Sequence, residues 1–358
     1  MSPTPAERPA VPPGSGRENA GEPSSAAAGR EPAAPDVQRL SIVVPVYQGE
    51  RTLDHLLAEI EPLTRPRATR RGRPFQVAEV VLVHDGAIDN SHVVMEALAA
   101  RFPFVTLVWL SRNFGQHPAT LAGMAATSAD WVVTIDEDGQ QNPADVGSLL
   151  DAAFETGAPL VYGQALNQPA HGLVRNTLSR VAKAVSVAIV GNRQMAHFNS
   201  FRLVRGDIAR SLAAYCGHGV YLDVALAWVV GRWTTGPVTL RPDRGRPSGY
   251  TIGTLLAHFG RLILTAGTRP LRLISVLGLL SILFGGGLSL VLVWARLRHQ
   301  IPVRGYTSLV VVICFFSGVV LFSLGVIAEY LALTLTTGMG RPLYITVSRP
   351  PRPDRAPP

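Results

Sequence analysis

Cysteine is nearly absent: Cys216 and Cys314 are the only two in 358 residues. Two thiols argue against a disulfide framework and a cysteine-based zinc centre, and neither neighbourhood suggests a catalytic thiolate. Charged residues are scarce at 16% and aromatics make up only 7%. Segment 1–38 has no apolar run, so it does not read as a secretory leader. It is rich in Pro, Ala, Gly, Ser and Glu. With too little apolar surface to offset its ordering entropy, it is expected to be a disordered tail. Acidic residues are the rarer sign: 25 Asp and Glu against 33 Lys and Arg leave a net charge of +8.

Hydrophobic residues, by contrast, make up 47% of the chain, with a mean hydropathy of +0.21. Two apolar stretches account for much of this. One runs over 271–297 and includes "LISVLGLLSILFGGGLSLVLVWA"; the other runs over 306–336 and includes "SLVVVICFFSGVVLFSLGVIAEYLALTL". Each exceeds the roughly 20 apolar residues that cross a bilayer core, and each is expected to be helical, because lipid offers open backbone groups no partner. Buried core helices are the alternative, but core helices rarely run so long without polar residues. The arginine clusters at Arg65–Arg73, Arg241–Arg246 and the C-terminal "RPPRPDR" carry much of the positive charge. Beside two membrane candidates, anionic headgroups or phosphorylated substrates suit that excess better than nucleic acid. For Arg65–Arg73 a solvated loop is the simpler account.

Between tail and spans, apolar runs alternate with helical periodicities. "LSIVVPVY" is followed by Leu53, Leu56, Leu57 and Ile60 at helical spacing. "VAEVVLVHDG", "VTLVWLS", "WVVTIDED" and "APLVYGQ" follow as further strands, with "NSHVVMEALAARF", "HPATLAGMAATS" and "PADVGSLLDAAFETG" as helices between them. Continuous apolar strands alternating with helices predict a parallel sheet covered on both faces. Such sheets bind ligands at the carboxyl ends of their strands. The region 173–240 is more helical in pattern. Within "SGYTIGTLLAHFGRLIL", Ile252, Leu255, Leu256, Phe259, Leu262 and Ile263 form one stripe. A helix lying in the membrane interface and an ordinary core-facing helix both fit that stripe.

Asp136 and Asp138 sit one residue apart where the fourth strand runs out. Like charges that close repel unless a cation relieves them. Hard divalent ions favour oxygen donors and take few protein carboxylates alongside substrate phosphates. Taken alone, so short a D-x-D pair is better read as a solvated turn with helix-capping acids before "NPADVGSLL". The same sheet edge also collects "VPVY", "HDGAID" and "SRNFGQ", with Asp85 placed to accept from a base edge.

With these segments in view, the chain resembles the family-2 glycosyltransferases of GT-A fold. Within them it resembles the polyprenyl-phosphate sugar synthases related to dolichyl-phosphate mannose synthase. The resemblance runs from about Leu40 to Val347. "SIVVPVYQGE" resembles the family's V-P-x-Y-N-E, "VLVHDGAID" its V-D-D-G-S-x-D, "LSRNFGQHPATLAGM" its L-S-R-N-F-G, and "DEDGQQNP" its D-x-D-L-Q-x-P. "SFRLVRGD" is similar to its F-R-L segment and "RPSGY" to its G-x-S-x-Y. The second apolar stretch with "RPLYI" is similar to the membrane hairpin and tail of bacterial members. His84, Gln48, Gly49, Gly139, Asn199 and Ser200 depart from the pattern, position 49 carrying Glu and position 139 Leu in the family. "YGQALNQ" lacks the Arg that often follows its strand.

The resemblance implies a GT-A, Rossmann-like, mostly parallel α/β sheet over 39–248. An interfacial amphipathic helix over 249–270, a two-helix transmembrane hairpin over 271–336 and a cytoplasmic tail over 337–358 would follow. It implies inverting transfer of a sugar from a UDP- or GDP-sugar to a membrane polyprenyl phosphate. The catalytic domain would lie on the cytoplasmic side of the inner (plasma) membrane, among membrane lipids and with no nucleic-acid partner. Pro45, Tyr47, Glu50, Asp85 and Asp136 would line the nucleotide sugar. Asp136, Asp138 and Gln140 would hold Mg2+ or Mn2+. Arg175, Ser179, Ser248 and Tyr250 would meet the acceptor phosphate, with Arg202 nearby, and Asp136, Asp138, Arg175 and Arg202 would carry the chemistry. "RPLYITV" is compatible with a homo-oligomer, a tetramer formed through tail exchange. Two rivals remain. A processive polysaccharide synthase would want a Q-x-x-R-W motif, and "WVVGRW" has only Arg232 and Trp233 of it. A degenerate membrane scaffold that binds nucleotide sugar without turnover would account for His84, Gly49 and Ser200.

Overall fold

The computed structural model describes residues 37–167, 197–217, 219–241 and 306–348, together with isolated positions between 276 and 298. Nine strands form one sheet in the order β8-β6-β7-β5-β1-β3-β4-β9, with β2 paired to β3 off this path. The strands are β1 (Gln38–Val46), β2 (Arg67–Ala68), β3 (Pro74–His84), β4 (Val105–Leu110), β5 (Trp131–Thr134), β6 (Leu160–Ala165), β7 (Arg202–Arg205), β8 (Thr234–Val238) and β9 (Thr346–Val347). β4, β3, β1 and β5 run parallel side by side. β6 points the same way, because β7 is antiparallel to both β5 and β6; β8 is parallel to β6. The expected mostly parallel α/β sheet is therefore present.

Helices cover both faces. α1 (Leu53–Ile60), α2 (Ser91–Arg101) and α4 (Val146–Thr156) bury Leu53, Leu56, Leu57, Met95, Leu98, Leu149 and Leu150 against Leu40, Ile42, Val44, Val80 and Leu82. α3 (Gln116–Ala125), α5 (Gly206–Tyr215) and α6 (Leu222–Val229) pack on the other face, against Val43, Val81, Val83 and Val132. Both sides of β1 and β3 are thus buried, which is why those strands are continuous apolar runs without polar alternation.

The sheet departs from simple strand–helix alternation in three places. β7 is an antiparallel insertion of four residues with arginines at both ends, and β8 contains Gly236 and Pro237. Neither carries a strand signal of useful length, so the pattern of 173–240 concealed both. Within the C-terminal segment 337–358, expected as a cytoplasmic tail, two residues join the sheet. Thr346–Val347 pairs antiparallel with Trp109 and Leu110, and the Ser111 amide donates to the Ile345 carbonyl at 2.9 Å.

α7 (Tyr306–Gly338) is a single helix of 33 residues. Among the residues whose side chains are described, no helix is long and apolar enough to cross a membrane. The expected hairpin is therefore met only as helical backbone over its second half. Most of its first half, the loop before α7 and the interfacial segment 249–270 lie outside the described residues.

Candidate active site

Parallel pairing brings the carboxyl ends of β1, β3, β4 and β5 to one edge. Val46 lies beside His84, and His84 beside Trp109. The Asp85 amide donates to the Val46 carbonyl at 2.9 Å and the Ile135 amide to Val43 at 3.0 Å. Each strand then turns out of the sheet, and Tyr47, Glu50, Asp85, Asp136, Asp138 and Gln140 lie on those turns.

Asp136 is half-buried and held by neutral donors. Gln116 Nε2, at the start of α3, donates to Oδ1 at 2.6 Å. Gln141 Nε2 donates to Oδ2 at 3.0 Å, and the Ser200 hydroxyl donates to the same oxygen. Gln141 Oε1 accepts the Asp136 amide at 3.0 Å, so one side chain grips both ends of the residue. Burial pushes the Asp136 carboxyl up to about 6. The Ser200 hydrogen bond pulls it down, the charge of Asp138 raises it further, and Arg202 and Gln116 oppose the rise. A nearby cation would reverse that balance in favour of the carboxylate. Asp138 accepts the Gln140 amide at 3.0 Å. Gly139 adopts φ +73°, the left-handed conformation that favours glycine, which accounts for its presence in this tight turn.

Oxygen donors from two half-buried aspartates on one turn fit a hard divalent ion that takes its remaining ligands from phosphate and water. Among the described residues, no group of three or more His, Cys, Asp or Glu is arranged to hold a metal by itself. Gln140 was expected as a third ligand. Its amide donates to Asp138, and its carbonyl accepts from the Arg241 amide at 2.8 Å. Gln141, one residue later, is the glutamine that reaches Asp136.

Other expected residues take different positions. Asp85 is only 4% exposed, and its oxygens accept the Phe114 amide at 2.7 Å and the Gly115 amide at 2.9 Å. It ties the end of β3 to the turn before α3, a placement that does not favour direct contact with a base. Burial pushes its carboxyl up to about 6 in spite of those amides. Arg202 is 2% exposed. Its guanidinium pairs with Asp223 of α6 and donates through Nε to Thr134 at 3.1 Å. It lies beneath the site, where its charge favours ionised Asp136; a buried, paired guanidinium does not reach out to an acceptor phosphate. Glu50 is exposed and accepts from the amide and side chain of Asn90 at 3.2 and 3.3 Å. Tyr47 is 38% exposed beside half-buried Pro45. Arg175, Ser179, Ser248 and Tyr250 lie outside the described residues. The chain leading toward Ser248 and Tyr250 departs from Arg241, which is anchored to the D-x-D turn through Gln140 and to Glu59 at 2.7 Å.

His84 is 3% exposed and packs against Trp109, ring centroids 5.2 Å apart. Burial pushes its imidazole down to about 4, assisted by His92. Its departure from the family pattern is thus a packing feature on the α2 side of the sheet.

Residues 41–208 match the profile of Glycosyl transferase family 2. The chain carries a family 2 glycosyl transferase domain. Curated relatives match well beyond that domain. A bactoprenol glucosyl transferase of Shigella phage SfX is 27% identical over 320 residues, covering 87% of this chain and 99% of that protein. An undecaprenyl-phosphate 4-deoxy-4-formamido-L-arabinose transferase of Klebsiella pneumoniae (strain 342) is 26% identical over 313 residues, covering 87% and 93%. Among solved structures, glucosyl-3-phosphoglycerate synthase of Mycobacterium tuberculosis in complex with Mn2+, UDP and glucosyl-3-phosphoglycerate matches at 20% identity and TM-score 0.47, over 65% of this chain and 80% of that one.

Proposed function

We propose that the family 2 domain transfers a sugar, with inversion, from a nucleotide diphosphate sugar to a membrane polyprenyl phosphate. The observation that carries this is the extent of the relatives' match. Transferases named for bactoprenol and undecaprenyl phosphate align with 86–87% of the chain, far beyond the domain itself. The geometry agrees, since the acidic turn after β5 and the loops after β1, β3 and β4 meet at the edge where such a sheet takes its ligand.

The acceptor brings its own nucleophile. A phosphate monoester has a second pKa near 6 and is largely ionised at neutral pH, so no general base is required. What the protein must supply is charge management between two anions. Asp136 and Asp138 would hold Mg2+ or Mn2+, which neutralises the leaving diphosphate when bound. Tyr47 and Pro45 offer a half-exposed surface for the nucleoside. Gln116, Gln141 and Ser200 keep Asp136 in one orientation, and preorganised groups of this kind often supply the largest catalytic term. From the sequence resemblance, Arg175, Ser179, Ser248 and Tyr250 would meet the acceptor phosphate.

The acceptor's lipid places the domain at a membrane. At about 1.5 Å per residue, the 33 residues of α7 span roughly 50 Å, and Glu329 is their only charged residue. Leu321, Phe322, Leu331 and Leu335 stand more than half exposed along it. Apolar surface so distributed calls for lipid or a partner helix. We therefore read 271–297 and 306–336 as a hairpin with the domain on the cytoplasmic side and assembly as a homo-oligomer.

The test is a panel of radiolabelled UDP- and GDP-sugars incubated with the full chain, Mg2+ or Mn2+, and undecaprenyl phosphate. A lipid-extractable monosaccharide product is expected. A polymer would make the chain a processive synthase, and no product with any donor would overturn transfer altogether. Labelling a cysteine introduced at 298–305 from outside intact cells tests the hairpin.

A further inference from the structure

Glu137 stands between the two aspartates, and the reaction as described gives it no part. Its side chain is nonetheless buried, 9% exposed. One carboxylate oxygen accepts the Tyr47 amide at 3.0 Å and the other accepts the Gln48 amide at 2.8 Å. Those amides belong to the turn after β1, 90 residues earlier in the chain than Glu137. A carboxylate that receives main-chain N–H on both oxygens forms hydrogen bonds about twice as strong as neutral ones.

The turn is fitted to that carboxylate. A Cβ at Gly49 would lie 2.9 Å from Glu137 Oε2 and 2.8 Å from Leu53. Any larger residue at 49 must therefore displace the clamp, the leucine, or both. From the other side, the Gly49 amide donates to Ser91 Oγ at 2.8 Å, and that hydroxyl donates to Asp89. The family pattern carries Glu at position 49. Here a carboxylate reaches the same turn from the opposite direction, out of the D-x-D segment.

We propose that Glu137 is a positioning residue for the nucleotide sugar, holding the 47–49 turn in fixed relation to the acidic turn so that nucleoside and diphosphate meet one rigid frame. This rests on the reading that Tyr47 and Pro45 receive the nucleoside. Without the clamp, the 47–49 turn must be ordered each time donor binds, and that cost appears as lost affinity. Asp136 and Asp138 keep separate anchors, in Gln141 and in the Gln140 amide. Loss of the clamp therefore acts on donor binding more than on the chemical step.

The test compares Glu137→Gln and Glu137→Ala with wild type, each as the full chain in detergent. Amide exchange at Tyr47 and Gln48 is measured without ligand, and steady-state kinetics are measured for the donor found in the panel. Loss of two charge-assisted bonds should speed exchange at both amides and raise donor KM about tenfold, with kcat within about threefold and acceptor KM unchanged. Glu137→Gln, which keeps one acceptor, should fall between. Gly49→Ala should raise donor KM in wild type and cost less in the Glu137→Ala background, because the two changes break one contact. Unchanged exchange at the two amides would overturn the clamp. A fall in kcat with donor KM unmoved would overturn the positioning role. Should wild type turn over no nucleotide sugar, the functional reading fails separately, since exchange reports on the clamp without turnover.

Discussion

Asp136 and Asp138 look alike in sequence and differ in their surroundings. Asp136 is enclosed by Gln116, Gln141 and Ser200, whereas Asp138 accepts one amide of its own turn. Replacing Asp138 by Ala should therefore leave the melting temperature nearly unchanged while metal-dependent transfer falls about 100-fold or more, as for loss of a group that stabilises developing charge. Transfer by Asp138→Ala at the wild-type rate would remove it from the site. Asp85 offers a pH prediction with a definite sign. Its folded pKa, about 6, lies above the ordinary 3.8, because burial penalises the charged form. That penalty is fully present above pH 6 and fades as pH falls toward 4, where folded and unfolded states are both protonated. Thermal melts of wild type and Asp85→Asn should show the difference between them shifting in favour of wild type as pH drops from about 7 to about 5.

At the scale of elements, β7 does work that its length disguises. It separates β5 from β6, and its first residue carries the buried charge beneath Asp136. The Arg202–Asp223 pair fastens β7 to α6, with both residues under a tenth exposed. Breaking such a pair strands a buried charge. Asp223→Ala should cost about 3–5 kcal/mol in denaturant unfolding, and a joint apolar replacement, Arg202→Met with Asp223→Leu, should cost clearly less. A catalytic role for Arg202 at the surface predicts instead that the double variant loses transfer while Asp223→Ala, which keeps the guanidinium, retains it, with little change in stability in either. α3 contributes through its first residue: Gln116 reaches Asp136, while Asp85 holds the Phe114–Gly115 turn just ahead of the helix.

Across the whole molecule, the chain closes on itself. After α7 it returns to lay β9 against Trp109 and Leu110, covering the carboxyl end of an otherwise open edge of the sheet. Exposed edges template association between chains. Ending the chain at Gly340 should therefore raise aggregate content in detergent, read by light scattering, before it alters the intrinsic activity of the protein that stays dispersed. A truncated chain that stays as monodisperse as wild type would show the β9 pairing to be dispensable.

The parallel core, the helices on both its faces and the acidic turn after β5 were legible in the sequence, because all three follow from local regularities. Strands buried on both sides must be continuous apolar runs such as "VVLVH", amphipathic helices repeat at 3.6 residues, and polar groups collect where such strands end. Only the tertiary structure decided which partner each polar group faces. Glu137 meets an amide 90 residues away, Arg202 turns to Asp223 beneath the sheet, Gln141 reaches Asp136, and Thr346–Val347 pairs with β4. The reason is physical: burial patterns repeat along the chain and can be read from it. A buried carboxylate or guanidinium, by contrast, is satisfied by whatever donor the folded chain brings within about 3 Å, and no local pattern records that donor.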